Sequence, residues 1–448
     1  MKLQHGHKEN LNTFCARFHT LIPPRVQVIV DRLKAHGFQA YVVGGALRDA
    51  WLRRSITDWD VATSAPCEDI KRLFEGFRFF SLKMKTVTLV HDEHRVELTP
   101  FRGSGRTIRE DLAHRDFTIN AMAYDPGSRE WVDPLGGVSD LKRKCLRAVL
   151  SPARRFQEDP LRLLRAIRIS GHLAFRLDPS TKKAMSALAP GLTAVSAERI
   201  RDEFMDILMG PRPSRALQTM HRTGLMKIVL PELLEGVRMK QNPHHAHTVY
   251  RHILETTDRV EADPVMRLTA LLHDIAKPRV RKEVKGHWHF SGHEEVSARM
   301  AQAFLARLKF SRKVIDQVSH LVRHHMIFYD SGWTDAAVRR LIRRAGEGCI
   351  RALIRFRCAD QLARGTGTAS RHAWAELEKR VEQQLERHGV LSPGTLAIDG
   401  RQVMEALNMP PGPQVGRVLK ALSDRVTECP ELNDAETLMA LLQDGPPR

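Results

Sequence analysis

The chain has 448 residues, 42% of them hydrophobic, which is enough for more than one buried core. Its formal net charge of +19 favours a polyanionic partner, with nucleic acid as the first candidate. Six scattered cysteines without a C-x-x-C pair exclude a disulfide framework and a zinc ribbon, and the N-terminus lacks the apolar core of a signal peptide, so we expect reduced thiols, no membrane association and a cytoplasmic location.

The first predicted elements surround a pair of glycines. Helical spacing over Arg25 to His36 predicts a helix, and the apolar run Tyr41 to Val43 predicts a buried strand. Gly44 and Gly45 end that strand, and a short helix is predicted over Ala46 to Leu52. Glycines let the backbone approach a phosphate closely, and the amides that begin the following helix point donors at it. This turn is therefore a candidate phosphate site.

Two aspartates follow on the next predicted strand. Asp58 and Asp60 are two residues apart, so on a strand they project from the same face and can hold one pair of magnesium ions. A metal pair clamps the attacking and leaving oxygens of a phosphoryl transfer. The reaction class that this order of residues suggests is nucleotidyl transfer.

The stretch from Tyr41 to Thr63 resembles the opening motif of the polymerase-beta-like nucleotidyltransferases, specifically the class II tRNA nucleotidyltransferase and poly(A) polymerase family. The resemblance implies that Asp58 and Asp60 are catalytic and bind Mg²⁺, and that Gly45 and Arg48 contact the triphosphate. It also implies an α+β fold in which a small mixed-sheet head precedes an all-helical neck, an HD body and a tail.

The rest of the head is predicted as a short helix and two strands. The helix covers Pro66 to Phe74, and the strands cover Thr86 to Val90 and His94 to Thr99 around the polar turn His91 to Glu93. Glu97 lies on the second strand, where the wider superfamily often has a third carboxylate. We treat it as a candidate metal ligand, with a solvated strand position as the alternative.

The segment from Arg109 to Asp125 resembles the second motif of the family. Arg115 is the residue that reaches the incoming triphosphate or ribose in this interpretation, a role that suits the fixed fork of guanidinium donors. His114 stands where relatives have another arginine. Only Gly103 to Arg109 separate Arg102 from the acidic segment that follows, whereas CCA-adding relatives carry a longer polar loop there. Relatives that lack this loop tend to stop after two cytidines, so nucleotide specificity stays open.

The neck carries the residues that the resemblance assigns to nucleotide selection. The segment Glu158 to Arg168 matches the family's Glu-Asp-x-x-Arg motif and is predicted to open a helix. Asp159 and Arg162 are expected to pair with the base of the incoming nucleotide and so replace a template. Arg165 and Arg168 are expected to contact phosphates. A run of basic residues precedes this helix and is expected to contact RNA: Lys142, Arg143, Lys144, Arg147, Arg154 and Arg155.

The second half of the chain resembles the HD phosphohydrolase superfamily. The ordered set that carries this resemblance is His247, His273, Asp274, His293, His324, His325 and Asp360. Histidine and aspartate ligands from several helices can complete a divalent metal site. Two interpretations remain: a site with Ni, Mn, Fe or Mg that hydrolyses phosphoesters, or a helical body that mainly holds RNA.

Four parts are predicted along the chain: a catalytic head over 1–145, a neck over 146–235, an HD domain over 236–370 and a C-terminal tail over 371–448. The predicted function is template-independent addition of CTP and ATP to the 3′ end of tRNA, with the acceptor arm as the RNA partner. The alternatives are a CC-adding enzyme, a poly(A) polymerase, and an RNA-binding HD phosphohydrolase with an inactive head. The oligomeric state is not predicted.

Overall fold

The computed structural model describes residues 10–75, 78–82, 86–91, 94–103, 107–241, 246–366, 371–389 and 392–443. Its internal contacts divide the chain into two units, Met1–Glu203 with Gln218–Ile228, and Phe204–Leu217 with Val229–Arg448. The predicted turn residues 92–93 and part of the short predicted loop, residues 104–106, lie outside the described residues. Among the helices that the described residues form, none has the length and apolar character that a membrane crossing requires.

The first part of unit 1 is built on one sheet with helices around it. Its elements are α1 (Leu11–Leu21), α2 (Pro24–Ala35), β1 (Ala40–Val43), α3 (Gly45–Trp51), β2 (Trp59–Thr63), α4 (Cys67–Leu73), β3 (Arg78–Leu82), β4 (Thr86–His91), β5 (His94–Pro100), α5 (Ile108–Ala113), β6 (Ala123–Asp125) and β7 (Glu130–Val132). The strand order is β3-β4-β5-β2-β1-β6-β7, with β2 and β5 parallel. The predicted α+β class with a small mixed sheet is confirmed.

The register of this sheet decides which side chains meet. Asp60 on β2 is opposite Val43 on β1 and opposite Glu97 on β5. Residues opposite each other project from the same face, so the carboxylates of Asp60 and Glu97 are neighbours. Asp58 precedes β2, so its predicted strand position was wrong by one residue.

Helices dominate the chain after the sheet, and they continue into both units. The helices of this part are α6 (Gly137–Lys142), α7 (Pro152–Glu158), α8 (Arg162–Leu173), α9 (Pro179–Leu188), α10 (Ala197–Leu208), α11 (Pro213–Arg222) and α12 (Met226–Val229). Two short strands, β8 (Cys145–Leu146) and β9 (Arg176–Leu177), lie between them and pair in parallel. On α8 the apolar face, which includes Leu163, Leu164 and Ile167, is buried, so the arginines at 162, 165 and 168 lie on the other flank.

Unit 2 consists mainly of helices. Its elements are α13 (Val249–Arg259), α14 (Pro264–Leu272), α15 (Lys277–Val280), β10 (Lys282–Val284), β11 (His287–His289), α16 (His293–Arg307), α17 (Arg312–His324), α18 (Asp335–Ala345), α19 (Glu347–Leu362), α20 (Arg371–His388), α21 (Gly400–Leu407), α22 (Pro413–Glu428) and α23 (Ala435–Gln443). One core forms around Leu341, Ile354 and Trp374. A second, C-terminal core forms around Val403 and Leu422.

Candidate functional site

A cleft of about 520 Å³ opens in unit 1 beside the glycine pair. Most of the predicted head and neck residues line it: Gly45, Arg48, Asp60, Arg115, Arg162, Arg165 and Arg168. Asp58 and Asp159 are absent from its lining. Residues that the sequence did not single out also line it, among them Arg54, Asp49 and His172. The cleft is rich in guanidinium groups, as a site for a polyphosphate requires.

The glycine pair lies directly against the acidic side chains. Gly44 has a φ of +77°, which favours glycine, and a Cβ at this position would lie 2.8 Å from Oδ2 of Asp60 and 3.2 Å from Nη1 of Arg115. Gly45 begins α3, and a Cβ there would lie 3.3 Å from Nη2 of Arg48. The backbone therefore comes as close to these charged groups as it can because both residues lack a side chain.

The acidic groups of the cleft repel one another. Burial raises the pKa of Asp60, and the nearby Asp58 carboxylate adds to this, while Arg115, Arg102 and Arg48 oppose it. Burial also raises the pKa of Glu97, with further contributions from Asp60 and Asp58. A divalent cation would stabilise the ionised form of buried carboxylates such as Asp60 and Glu97, because it offsets both their burial and the repulsion from their neighbours. The donor set consists of carboxylate oxygens, which Mg²⁺ prefers.

Two arginines of the cleft are oriented by neighbouring carboxylates and amides. Nη2 and Nε of Arg48 donate to Asp49 at 2.7 and 3.1 Å, and its Nη1 donates to Oδ1 of Asn120 at 2.7 Å. Nε of Arg115 donates to Oδ2 of Asp111 at 3.0 Å. The Asp111 side chain is fully buried, so it holds the Arg115 guanidinium in one orientation, with Nη1 beside Asp60.

The arginines on the middle of α8 are held by buried acids. Arg165 donates to Oδ2 of Asp116 at 3.3 Å and to Oε1 of Glu203 at 3.4 Å. Arg168 donates to Oε2 of Glu203 at 2.8 Å. Burial works against the ionised form of Asp116, but Arg165, Asn120 and the Phe117 amide outweigh it and lower its pKa. The network is thus a fixed set of charges on one wall of the cleft.

The side chains of the two residues predicted to select the base have different partners in the structure. Asp159 follows the last residue of α7, and both its oxygens accept from Nη2 of Arg199 at 3.1 and 3.2 Å. Arg162 is the first residue of α8, lines the cleft, and donates to Oε2 of Glu158 at 3.2 Å. The predicted helix start at Glu158 was therefore wrong, because Glu158 ends one helix and the next begins at Arg162.

A second cluster of ionisable groups is buried in unit 2. It contains His252, His273, Asp274, His293, His325 and Asp360. Two sets of three ligand atoms form within it, one from His252, His273 and Asp274, the other from Asp274, His293 and His325. Asp274 belongs to both, so its carboxylate is placed to bridge two sites.

Each imidazole of this cluster is oriented by a backbone carbonyl. Nδ1 of His273 lies 2.9 Å from the carbonyl oxygen of Ala270, and Nδ1 of His293 lies 2.8 Å from the carbonyl oxygen of Phe290. In His325 the corresponding distance, to the Val322 carbonyl oxygen, is 2.6 Å. A proton on Nδ1 leaves the Nε2 lone pair facing inwards, which is the form that binds metals.

The inner face of the cluster brings together acceptor atoms that require a proton or a cation between them. Nε2 of His273 lies 3.3 Å from Nε2 of His252, and the same distance separates Nε2 of His293 from Nε2 of His325. Two lone pairs at this distance repel unless a cation or proton lies between them. Burial disfavours the charged form of His273, but Asp274 and Asp360 more than offset this and raise its pKa to about 9. The donor set therefore fits divalent metal.

Two of the predicted histidines lie outside this cluster. His247 precedes α13, and its Nε2 would lie 2.8 Å from a Cβ at Gly365. His324 is the last residue of α17, and its ring packs against His320 with 4.5 Å between centroids. The member of the cluster that the sequence analysis did not include is His252, whose Nε2 lies 2.8 Å from Oδ1 of Asp360. The position of the helix start could have indicated it: Thr248 caps α13, so His252 lies one turn inside the helix, on its buried face.

Comparison with known proteins gives three matching family models and several relatives. The models are the poly A polymerase head domain over residues 40–147, the "Probable RNA and SrmB- binding site of polymerase A" over 174–236, and tRNA nucleotidyltransferase domain 2 over 282–442.

The A-adding tRNA nucleotidyltransferase of Deinococcus radiodurans is 36% identical over 409 residues, covering 86% of this chain and 91% of the relative. The CC-adding tRNA nucleotidyltransferase of Thermus thermophilus is 34% identical over 407 residues, covering 87% and 90%. Among solved structures, the Bacillus stearothermophilus CCA-adding enzyme in complex with CTP is similar, with a TM-score of 0.70 and 28% identity over 94% of this chain and 98% of that one.

Proposed function

Because the chain belongs to the tRNA nucleotidyltransferase family, we propose that it adds cytidine and adenosine to the 3′ end of tRNA without a nucleic acid template. The observation that carries this proposal is the cleft in which Gly44, Asp60 and Arg115 meet. CCA-adding enzymes recur among the relatives at 27–39% identity, and the structure of one matches 94% of the chain, which favours CCA addition over CC addition or poly(A) synthesis. The 36% identical relative is A-adding, so A addition alone is the second candidate.

The acidic residues are proposed to hold divalent metal, which enzymes of this family use. Asp58 and Asp60 would bind Mg²⁺, with Glu97 as a further ligand, since burial, together with neighbouring carboxylates, raises the pKa of Asp60 and of Glu97. When bound, Mg²⁺ supplies charge stabilisation at the attacking and leaving oxygens. Gly45, Arg48 and Arg115 would orient the triphosphate, and Arg165 and Arg168 would add positive charge beside it.

The base of the incoming nucleotide is proposed to be selected by side chains. A carboxylate accepts from the exocyclic amine of C or A, and a guanidinium donates to ring acceptors, so Asp159 and Arg162 would favour C and A over U and G. Arg162 already lines the cleft. Asp159 would have to exchange its contact with Arg199 for one with the base.

The nucleotide specificity is tested by incorporation. Wild-type protein is incubated with tRNA ending at the discriminator base, at C, or at CC, with each labelled nucleotide singly and in pairs. Addition of two cytidines and then one adenosine is expected. Addition of two cytidines only would favour the CC-adding alternative, addition of adenosine to tRNA ending in CC only would favour the A-adding candidate, and long adenosine runs would favour a poly(A) polymerase.

Gly44→Ala is expected to reduce nucleotide addition strongly. The Cβ would lie 2.8 Å from Oδ2 of Asp60, so this carboxylate must move, and the backbone conformation of Gly44, with φ +77° and ψ −136°, adds about 1–3 kcal/mol of strain. The matched control is Gly37→Ala, since Gly37 has a similar φ of +82° but nothing within 4 Å of the added Cβ. Thermal unfolding and single-turnover addition are measured for both variants. A fall in stability in both variants but a loss of activity only in Gly44→Ala is expected, and equal activities would contradict the role of this close approach.

The cluster in unit 2 is proposed to bind one or two divalent transition metals such as Ni, Mn or Fe, and to hydrolyse phosphoesters such as 2′,3′-cyclic phosphates at RNA ends. The four inward-facing Nε2 atoms and the shared Asp274 support metal binding. Lys277 and Arg357, which contact Asp274 and Asp360, would limit the negative charge of the ligands.

His252→Ala is expected to lower the metal content of unit 2 by about one ion per chain, because it removes one of the three proposed ligands of the set formed by His252, His273 and Asp274. His247→Ala is the control, since His247 lies outside the cluster and should leave the metal content unchanged. Metal per chain is measured by elemental analysis after reconstitution and desalting. Equal metal contents in the two variants would show that His252 is not a ligand.

A further inference from the structure

Arg54 differs from the other arginines of the cleft in having no carboxylate partner. It lies on the exposed segment between α3 and β2 and lines the cleft with Asp60. Its Nη1 donates to the backbone carbonyl of His172 at 3.2 Å. Within the part of the chain that the structure describes, this is the only polar partner of its guanidinium.

Every other arginine that lines the cleft lies within 4.0 Å of a carboxylate. The pairs are Arg48–Asp49, Arg102–Asp111, Arg115–Asp111, Arg162–Glu158, Arg165–Asp116 and Arg168–Glu203. A guanidinium that is already paired exchanges one anion for another when a phosphate arrives. Arg54 gives up only a hydrogen bond to a neutral carbonyl, so no carboxylate balances its positive charge before an anion arrives.

The surroundings of Arg54 indicate a phosphate on a chain that extends out of the cleft. Ser55 and Thr57 line the cleft beside it and are exposed, and the Ser55 hydroxyl offers a donor. The hydroxyl of Thr57 donates to Oδ2 of Asp58 at 2.9 Å, so this segment leads directly to a proposed metal ligand. An RNA strand continues beyond the cleft that holds its 3′ end, and it therefore needs contacts at the exposed margin of the site.

The position of Arg54 also separates it from the residue that would read the base. His172, which Arg54 contacts, and Arg162 are ten residues apart on α8, which is about 15 Å along the helix axis. The proposed triphosphate residues Gly45 and Arg48 lie on the less exposed wall formed by α3. The incoming nucleotide and the RNA 3′ end can then occupy different parts of the cleft.

We propose that Arg54, with Ser55, binds a backbone phosphate near the 3′ end of the RNA that is extended, and so positions its terminal hydroxyl beside Asp58. This inference rests on the proposed function of the cleft. Arg54 is a positioning residue here, and its contact is with the phosphate backbone, so it acts on every RNA sequence alike.

Arg54→Ala is expected to raise the KM for tRNA about tenfold, because a charge-assisted contact to phosphate is lost, while the KM for CTP and kcat stay close to the wild type. The slope of log KM for tRNA against log salt concentration should fall by about one unit in magnitude. Arg54→Lys should recover most of the loss because it keeps the charge. The matched control is Arg53→Ala, which removes an exposed neighbouring arginine that does not line the cleft.

A raised KM for CTP with an unchanged KM for tRNA would overturn the proposal and assign Arg54 to the nucleotide phosphates. An equal loss in Arg53→Ala would also overturn it, since general surface charge would then explain the effect. Filter binding of tRNA gives a second readout without turnover. If the wild type added no nucleotide, the proposed function would fail, whereas weaker tRNA binding by Arg54→Ala but not by Arg53→Ala would still support the phosphate contact.

Discussion

Asp60→Asn is expected to lower the single-turnover rate of nucleotide addition by about 1,000-fold or more, because a proposed metal ligand loses its charge at the reacting phosphate. The same change is expected to raise the thermal midpoint in the absence of Mg²⁺. Burial raises the pKa of Asp60 above its unfolded value, so at neutral pH its ionised form destabilises the folded state, and a neutral amide of the same shape removes this cost. Binding of tRNA should be retained.

The control for this prediction is Asp69→Asn, which changes a half-buried acid on α4 that pairs with Arg72 and does not line the cleft. It should leave addition unchanged. Addition by Asp60→Asn at the wild-type rate would rule out the metal assignment. A lowered thermal midpoint would show instead that Asp60 stabilises the folded head through its arginine neighbours.

Arg162→Ala is expected to lower kcat/KM for CTP and ATP by about 100-fold, and to narrow the preference for these nucleotides over UTP and GTP, because the hydrogen bonds that recognise the base are lost. The loss should be larger for the correct nucleotides than for the wrong ones. Incorporation of each nucleotide into tRNA is measured separately, and thermal unfolding reports whether the contacts of Arg162 with Glu158 and the His114 carbonyl also affect stability.

The matched control is Arg154→Ala. Arg154 pairs with the same Glu158 at 3.3 Å, but its side chain is 73% exposed and it does not line the cleft. It should keep the wild-type nucleotide preference. A uniform fall for all four nucleotides in Arg162→Ala would contradict a role in reading the base and would indicate a contact with phosphate or ribose.

The catalytic head was predictable from the sequence wherever residues close in the chain form the site. The strand before Gly44 and the strands around Glu97 were predicted within one or two residues, because alternation and turn residues mark them. The pairing of β2 with β5 depends on contacts distant in sequence, so the alignment of Asp60 with Glu97 followed only from the structure. Side chains such as Asp111, which fixes Arg115 from a buried position, give no local signal at all.

The errors have local physical causes. Pro160 and the extended backbone of Asp159 interrupt what looks like one continuous helix, because a residue before proline disfavours helical geometry. In unit 2 the order of histidines and aspartates along the chain predicted a cluster of ionisable groups. The order alone did not show which of several neighbouring histidines belongs to that cluster. The choice of His252 over His247 requires the position of the helix cap at Thr248.

The most direct test of the nucleotidyl-transfer account is metal rescue with α-thio CTP in single-turnover addition to tRNA. If Asp58 and Asp60 hold a metal against the reacting phosphate, one thio diastereomer should react at least about tenfold more slowly than CTP in Mg²⁺ and should recover in Cd²⁺, which binds sulfur well. Equal rates for that diastereomer in both metals would contradict direct metal contact with the transferred phosphate, and with it the role assigned to the acidic side chains of this cleft.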